Sequence, residues 1–202
     1  MAPEARREVI ELAATEVFAE RGYRGASVEE IAKRSGVSVP VLYDHFESKQ
    51  HLHRRLLERH FAELRAIWRE HLAEESPMRH RVAGILDTWF GYVESHPYAW
   101  RMLFHDTTEH DEAEAVRREV AAESRALILP MFARVRAVAD DDSEGLERAW
   151  EIVRAAIQGL ALWWHEHRHV PRRDVVATAM DTLWIGAERL RRGERWEPSS
   201  DS

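Results

Sequence analysis

The 202-residue sequence predicts an all-α protein, with a three-helix N-terminal domain followed by a larger helical domain. Apolar residues recur at spacings of three and four along most of the chain, which is the spacing of one helix face. Proline and glycine separate these segments, as expected of residues that end helices. No stretch combines alternating polarity with hairpin turn residues, so we expect no β-sheet.

The first helix is predicted over residues 4–21, where apolar residues form one stripe. Gly22 is well placed to end it, because glycine adopts the left-handed conformation without steric cost. Ser27 and Glu30 have the spacing of a capping box, in which the serine hydroxyl accepts from the glutamate amide while the glutamate side chain reaches back. This pair predicts a second, short helix that ends near Ser35.

Gly36 breaks the second helix, and Ser38 can cap a third helix that runs to Phe46. Two short helices joined by a glycine turn are typical of a helix-turn-helix. We therefore expect residues 1–47 to form a helix-turn-helix DNA-binding domain, with Phe46 in its core.

The rest of the chain predicts six longer helical segments, separated by proline or by polar residues. Their predicted bounds are 48–73, 77–96, 98–105, 113–139, 143–167 and 171–192. Pro130 is expected to kink or divide the fourth of these. We expect one helical domain over 48–193 and a polar tail over 194–202.

Composition excludes several classes of function. The chain has no cysteine, which rules out disulfides, thiolate metal sites and cysteine nucleophiles. It shows no signal peptide and no apolar run of the ~20 residues that span a membrane, so we expect a cytoplasmic protein without membrane contact. No catalytic or nucleotide-binding motif is present, and the histidines lack metal-ligand spacing. We expect no enzymatic activity, no cofactor and no metal.

Charge alone gives weak support for nucleic-acid binding. The net charge is −7, and residues 1–50 carry seven basic and nine acidic side chains. Any contact with DNA must therefore come from a local patch. Arg54, Arg55 and Arg59 could steer DNA, although a solvated charged face is the other interpretation.

The last two predicted helices are apolar on two faces. A helix of this kind must be covered on both sides, either by its own domain or by a partner. Small residues allow two helices to approach closely, which favours a homodimer; a wholly buried central helix in a monomer is the alternative. The expected interface residues are Ala156, Gly159, Leu160, Trp163, Trp164, Met180, Leu183, Trp184 and Ala187.

The N-terminal motif resembles the DNA-binding domain of TetR/AcrR-type transcriptional regulators. The matching residues are Phe18, Gly22-Tyr23, Ser27-Val28, Ile31-Ala32, Gly36-Val37-Ser38, Leu42-Tyr43, His45-Phe46, Ser48-Lys49 and Leu52. The resemblance covers about a quarter of the chain. It implies a homodimer that binds a double-stranded DNA operator through two helix-turn-helix units, and a ligand pocket in the C-terminal domain.

A recognition helix presents its N-terminal side chains to the major groove. By match to the family motif, Val39, Pro40 and Val41 face base edges, following Ser38 at the start of the helix. Because valine cannot hydrogen-bond, we expect contacts to thymine methyl groups.

Four further residues are predicted to approach the DNA backbone. By match to the motif, Tyr43, His45 and Lys49 hold phosphates, although Tyr43 could be a core aromatic and His45 a solvated residue. Ser27 begins a helix, so its backbone amide can also approach a phosphate.

The resemblance implies an effector pocket, and the aromatic C-terminal half predicts a small hydrophobic or aromatic effector. The candidate lining residues are Trp89, Phe90, Val93, Trp100, Leu103, Phe104, Leu127, Met131, Phe132, Trp150, Val153 and Ile157. Each of these could instead be ordinary core. An effector would shift the protein between two states, and the helix that starts at residue 48 would move as a lever between them.

The sequence thus predicts a ligand-responsive repressor that is released from its operator by the effector. Activation of transcription is an alternative, because operator position decides between the two. A helical adaptor that binds protein through the same fold is a second alternative.

Overall fold

The computed structural model describes residues 2–73, 75–104, 115, 118–119, 122–123, 125–126, 143–192 and 194. These residues form helices and no strands, as predicted. The helices are α1 (Pro3–Gly25), α2 (Val28–Ser35), α3 (Val39–His45), α4 (Lys49–Ala73), α5 (Met78–Ser95), α6 (Pro97–Phe104), α7 (Ser143–Glu166), α8 (Arg172–Ala179) and α9 (Ile185–Arg191). A π-helical turn, Met180–Trp184, joins α8 to α9.

The chain packs into two compact units. The first contains residues 1–66 and 92–121, and the second contains residues 67–91 and 122–202. The chain passes from one unit to the other within α4 and again within α5.

The end of α1 follows the predicted glycine chemistry. Gly22 has a φ of 68°, which interrupts the helical geometry at the predicted position. The chain then makes one more turn, and the Ala26 amide donates to the Gly22 carbonyl at 3.1 Å. The left-handed residue therefore bends α1 before the chain enters α2.

Both ends of α2 have the end residues that the sequence predicts, whereas the start of α3 lacks the predicted cap. Ser27 Oγ accepts from the Glu30 amide at 3.1 Å and caps α2. Gly36 has a φ of 68°, and the Val37 amide donates to the Ala32 carbonyl at 3.0 Å, which closes the helix end.

The third prediction, a side-chain cap by Ser38, is wrong. Ser38 occupies the N-cap position of α3, but its side chain makes no capping hydrogen bond. An N-cap hydroxyl accepts from the second or third helical amide, and the second residue here is Pro40, which has no N–H.

The core of the first unit lies between α1, α2, α3, α4 and α6. Phe18, Ile31, Leu42 and Phe46 are at most 1% exposed. Helix α1 packs against both α2 and α6. Phe61 of α4 meets Phe104 of α6 edge-on, with ring centroids 6.1 Å apart. The predicted core residues of the helix-turn-helix are thus confirmed as core.

The second unit is organised around Trp164. Its ring is 1% exposed and meets Phe90 of α5 nearly perpendicularly at 5.7 Å, while its Nε1 donates to the Val170 carbonyl at 2.8 Å. Arg172 Nε donates to Asp87 Oδ1 at 2.9 Å and joins α8 to α5. A Cβ at Gly91 would come within 3.0 Å of the Arg172 guanidinium, so the glycine leaves room for it.

The predicted helical segments agree with the observed bounds to within one or two residues, except in three places. The first helix, predicted to end at residue 21, continues beyond the interruption at Gly22 to Gly25. The predicted single helix over 171–192 contains the π-helical turn Met180–Trp184, which the sequence spacing did not show. The predicted helix over 113–139 lies mostly outside the described residues, and the few described positions within it are helical.

Candidate nucleic-acid interface

Helix α3 is amphipathic across its short length. Leu42 is fully buried and Phe46, which follows the helix, is 1% exposed. Tyr43 is 48% exposed, and Ser38 and Pro40 are exposed at the N-terminal end. The helix is therefore fixed to its unit by one face and leaves the other available to a partner.

The predicted base-contacting residues form the tip of α3. Pro40 is exposed, and Val39 and Val41 are half-buried. These three side chains supply no hydrogen-bond donor or acceptor, so this tip offers shape and apolar contact. Tyr43 adds a hydroxyl one turn along, and half-buried His45 ends the helix beside the ring of Phe46.

Lys49 has a structural role that the sequence did not reveal. Its ammonium donates to the Tyr23 carbonyl at 2.9 Å and to the Ala26 carbonyl at 3.0 Å, and it lies 4.5 Å from the centre of the Tyr23 ring. Lys49 therefore anchors the segment that carries Ser27. Since an ammonium has three N–H donors, one donor is left beyond these two bonds.

Glu11 is the most important side chain that sequence reasoning missed in this region. It is 3% exposed, Arg55 Nε donates to its Oε1 at 2.6 Å, and Arg59 Nη1 donates to its Oε2 at 2.6 Å. These bonds join α1 to α4 and raise the pKa of Arg59. The two arginines are thus ion-paired to α1, and about half of each side chain stays exposed.

A second ion-pair group neutralises acidic side chains of α1 and α2. Arg34 Nη2 donates to Glu20 at 2.6 Å and to Glu30 at 2.7 Å. The hydrogen bond from Arg34 lowers the pKa of Glu20. Pairing reduces the negative potential that these two carboxylates would otherwise present.

A polar chain continues from α4 to α5 inside the first unit and is buried at His60 and Tyr92. Arg59 also approaches Glu63 at 3.5 Å, and Glu63 lies 3.5 Å from His60 Nδ1. Tyr92 Oη is 2.9 Å from the same nitrogen. Burial lowers the pKa of His60 and raises that of Tyr92.

The predicted effector-pocket residues are apolar and mostly buried. Trp89, Phe90, Val93, Trp100 and Leu103 are at most 6% exposed, and Trp150 is 9% exposed. Phe104, Val153 and Ile157 are half-buried, whereas Leu127, Met131 and Phe132 lie outside the described residues. These side chains belong partly to the first unit and partly to the second, and a common pocket stays a prediction.

The predicted interface residues of α7 divide into an exposed and a buried group. Ala156 and Gly159 are exposed, and Trp163 is 44% exposed. Leu160 is half-buried, and Trp164 instead lies in the core of the second unit. The sequence assigned both tryptophans to the interface because this helix is apolar on two faces, and burial separates the face of Trp164 from that of Trp163.

Beyond α7, Met180, Leu183 and Trp184 are half-buried, and the side chain of Ala187 lies outside the described residues.

Two kinds of feature are absent from the described part of the chain. No three His, Asp or Glu side chains there come together as a metal-ion site. No helix in that part has the length and apolar character to cross a membrane.

The sequence matches one family model in its N-terminal part. Residues 10–56, which run from α1 into α4, match the model of bacterial regulatory proteins of the tetR family. The transcriptional activator FasR of Mycolicibacterium smegmatis is 28% identical over 92% of this chain and 84% of its own length. The transcriptional repressor KstR2 of Mycobacterium tuberculosis is 33% identical over 52% of this chain and 51% of its own length.

Solved structures resemble the fold over nearly the whole chain. A transcriptional regulator from Pseudomonas aeruginosa has a TM-score of 0.75 at 20% identity, with 96% of both chains covered. FadR from Bacillus subtilis, solved in complex with stearoyl-CoA, has a TM-score of 0.70 at 19% identity, covering 92% of this chain and 98% of FadR. At these identities the likeness concerns the fold.

Proposed function

We propose that this chain is a transcriptional regulator of the tetR family and, within it, a ligand-released repressor that binds its operator as a homodimer. The observation that carries the proposal is the α3 tip. Its apolar contact residues, Val39, Pro40 and Val41, project from a helix whose other face is locked in the core by Leu42 and Phe46.

In this proposal the α3 tip enters the major groove. Val39 and Val41 contact thymine methyl groups, and Pro40 packs against a base edge. Tyr43, His45, the third Lys49 donor and the Ser27 amide hold phosphates and fix the position of α3, while the base contacts provide the sequence preference. Ser38 stands at the start of α3 with its hydroxyl unused in capping, which makes it available to a phosphate or a base.

The exposed apolar stripe of α7 supports the homodimer. Ile152 is 67% exposed and Trp163 is 44% exposed, and helical spacing places them on one side of the helix with Ala156 and Gly159 between them. Leu162, which is 37% exposed, flanks this side. Exposed apolar stripes of this kind mark protein interfaces. The absence of side chains larger than alanine at 156 and 159 would let a second α7 approach closely.

The effector we propose is a fatty acyl thioester. The candidate pocket residues are aromatic or aliphatic, which suits a long hydrocarbon chain. FadR from Bacillus subtilis has this fold and was solved with stearoyl-CoA. Such a ligand lowers operator affinity only if it binds the DNA-free state better than the DNA-bound state.

An activator is the second candidate function. The match to FasR, a protein named as an activator, covers 92% of this chain, whereas the match to the repressor KstR2 covers 52% of it. An activator and a repressor both need the same operator contacts, so operator binding is the property to measure first.

The experiment selects operators from random duplexes with the full-length protein and then measures binding by fluorescence anisotropy. We expect an inverted repeat with half-site centres about 34–36 Å apart, and a steep fall in affinity with salt. Stearoyl-CoA should release the complex, with CoA alone as the control. Selection of no duplex sequence over the starting pool would contradict the proposal.

The Val41→Ala variant tests the base contact. Loss of two methyl groups should reduce the preference for thymine at one operator position by about fivefold, from ~1 kcal/mol of lost apolar contact. Position-by-position substitution of the operator measures this effect. An unchanged preference at every position would remove Val41 from the contact set.

A further inference from the structure

We propose that Glu11 is a positioning residue for operator binding, because its buried carboxylate sets where α4 lies on α1 and so sets the half-site spacing that the dimer accepts. This inference rests on the proposed function. Glu11 does not face the α3 tip, and its effect would pass through Arg55 and Arg59 of α4.

The geometry fixes α4 at two points. Arg55 bonds one carboxylate oxygen and Arg59 bonds the other, both at 2.6 Å. Residues four apart lie one turn apart on the same helix face, at about 6 Å. A rotation or a slide of α4 along α1 would therefore break at least one of the two bonds.

On α1 the charged residue Glu11 is buried, whereas its apolar neighbour is exposed. Glu11 is 3% exposed, whereas Leu12, the next residue, is 65% exposed. Glu11 is flanked on the buried side of α1 by Ile10 and Ala14, which are fully buried. A chain selected only for core packing would place an apolar residue at position 11.

Buried ion pairs are weak stabilisers, because desolvation of the charges offsets their attraction. Their best attested use is to specify one register among several of similar energy. The Glu11 group has the features of such a device: one acceptor, two donors from successive turns of another helix, and a deeply buried carboxylate. Its two arginines are about half exposed, so only the carboxylate is strongly desolvated.

Helix α4 is the element whose position on α1 the Glu11 contacts set. It starts at Lys49, directly after the helix-turn-helix, and continues to Ala73. Its last residues belong to the second unit, which contains the apolar stripe proposed as the dimer contact. A looser α1–α4 joint would leave each helix-turn-helix intact and would weaken the control of the distance between the two.

The test compares full-length wild type with Glu11→Gln on three kinds of duplex: a single half-site, the selected operator, and operators with spacing changed by one or two base pairs. We expect half-site affinity to stay within about twofold and affinity for the selected operator to fall about tenfold, which is within the range of coupling in one hydrogen-bond network. Discrimination between correct and altered spacing should fall by a similar factor.

Glu20→Gln is the matched control. It removes one carboxylate from the same helix, but its partner is Arg34 of α2, not a residue of α4. We expect it to keep the wild-type spacing preference. Since both variants remove one negative charge, any general gain in DNA affinity from charge appears equally in both.

Arg55→Gln approaches the same joint from α4 and leaves Glu11 bonded by Arg59. It should weaken spacing discrimination in the same direction as Glu11→Gln, and it keeps the proposal testable if Glu11→Gln unfolds, as judged by far-UV circular dichroism. A wild-type spacing profile in folded Glu11→Gln, or in Arg55→Gln if the first variant is unfolded, overturns the positioning role. Failure of the wild type to prefer any duplex would instead overturn the proposed function, and the positioning role with it.

Discussion

The helix-turn-helix segment and helix α7 treat their apolar residues in opposite ways. In residues 27–49 the large apolar side chains Ile31, Leu42 and Phe46 are covered within the first unit. Along α7, Ile152, Leu162 and Trp163 are at least 37% exposed. The first segment is complete as a single chain, whereas the second retains apolar surface that another molecule can cover.

This difference fits the functions proposed for the two regions. A surface that contacts DNA needs polar and small apolar groups on a rigid support, because DNA is charged and its groove is narrow. A surface that contacts a second copy of the chain gains from exposed apolar area, because association buries it. Changes at Phe46, Ile152 and His60, each with a matched control, follow in order of decreasing expected effect.

Phe46→Ala should have the largest effect on stability, because it leaves a cavity in the core against which α3 packs. Loss of a fully buried phenylalanine costs about 3–5 kcal/mol in the free energy of unfolding. Urea denaturation followed by circular dichroism measures it.

Tyr43→Phe is the matched aromatic change on the exposed side of α3. It should leave unfolding within about 0.5 kcal/mol of wild type and weaken binding to all duplex sequences alike. A large loss of stability in Tyr43→Phe would show that the two sides of α3 are not separate in function.

Ile152→Arg should have the next largest effect, on assembly and not on folding. Because Ile152 is 67% exposed, an arginine there costs a single chain little. In a dimer it would place an unpaired charge in an apolar contact, which we expect to raise the dissociation constant at least a hundredfold, or ~3 kcal/mol.

Sedimentation velocity over a concentration series measures the Ile152→Arg effect. Glu147→Arg is the control on the same helix, since residue 147 points well away from residue 152 and its carboxylate pairs with Arg125. Dimers of equal strength in wild type and Ile152→Arg would rule out the α7 stripe as the interface.

The smallest effect should come from pH, through His60. Burial lowers its pKa below the ordinary value of 6.5, despite the nearby Glu63 carboxylate, while Arg59 and His96 act in the same direction as burial. Tyr92 also faces the ring. The unfolded chain therefore binds a proton at His60 more readily than the folded chain, and folding stability should be full above about pH 6.5 and decline below it.

His60→Gln should reduce that slope, which urea denaturation at several pH values between 5 and 7.5 can measure. His80→Gln, at an exposed position of α5, is the control and should leave the slope as in wild type. A steeper slope in His60→Gln would mean that the sign assigned to His60 is wrong.

The fold of the first unit could be predicted well because its signals are local. Gly22 and Gly36 take the left-handed conformation that ends helices, and Ser27 caps α2 through an amide three residues away. Such features depend on neighbours in the sequence and not on distant packing. The exception, Ser38, fails for an equally local reason, since Pro40 removes one of the two amides it could accept from.

The contacts that sequence reasoning missed join residues far apart in the chain. Glu11 is separated from Arg55 by 44 residues, and Lys49 from Tyr23 by 26. Periodicity marks Glu11 as a polar residue on a helix but does not indicate which element covers it. Trp163 and Trp164 illustrate the same limit, because adjacent identical residues acquire opposite environments only through tertiary packing.

The Lys49 contacts have a consequence for how the recognition segment is prepared before it meets DNA. The chain has no cysteine, and this one ammonium links the start of α4 back to carbonyls at residues 23 and 26. It acts as a non-covalent cross-link that closes α2 and α3 into a ring. Because the entropy of closing that ring is lost during folding, less of it has to be lost during complex formation. A methionine at position 49 would leave the ring open. Part of the free energy of the DNA contacts would then be spent on ordering the segment, so the affinity for DNA would be lower.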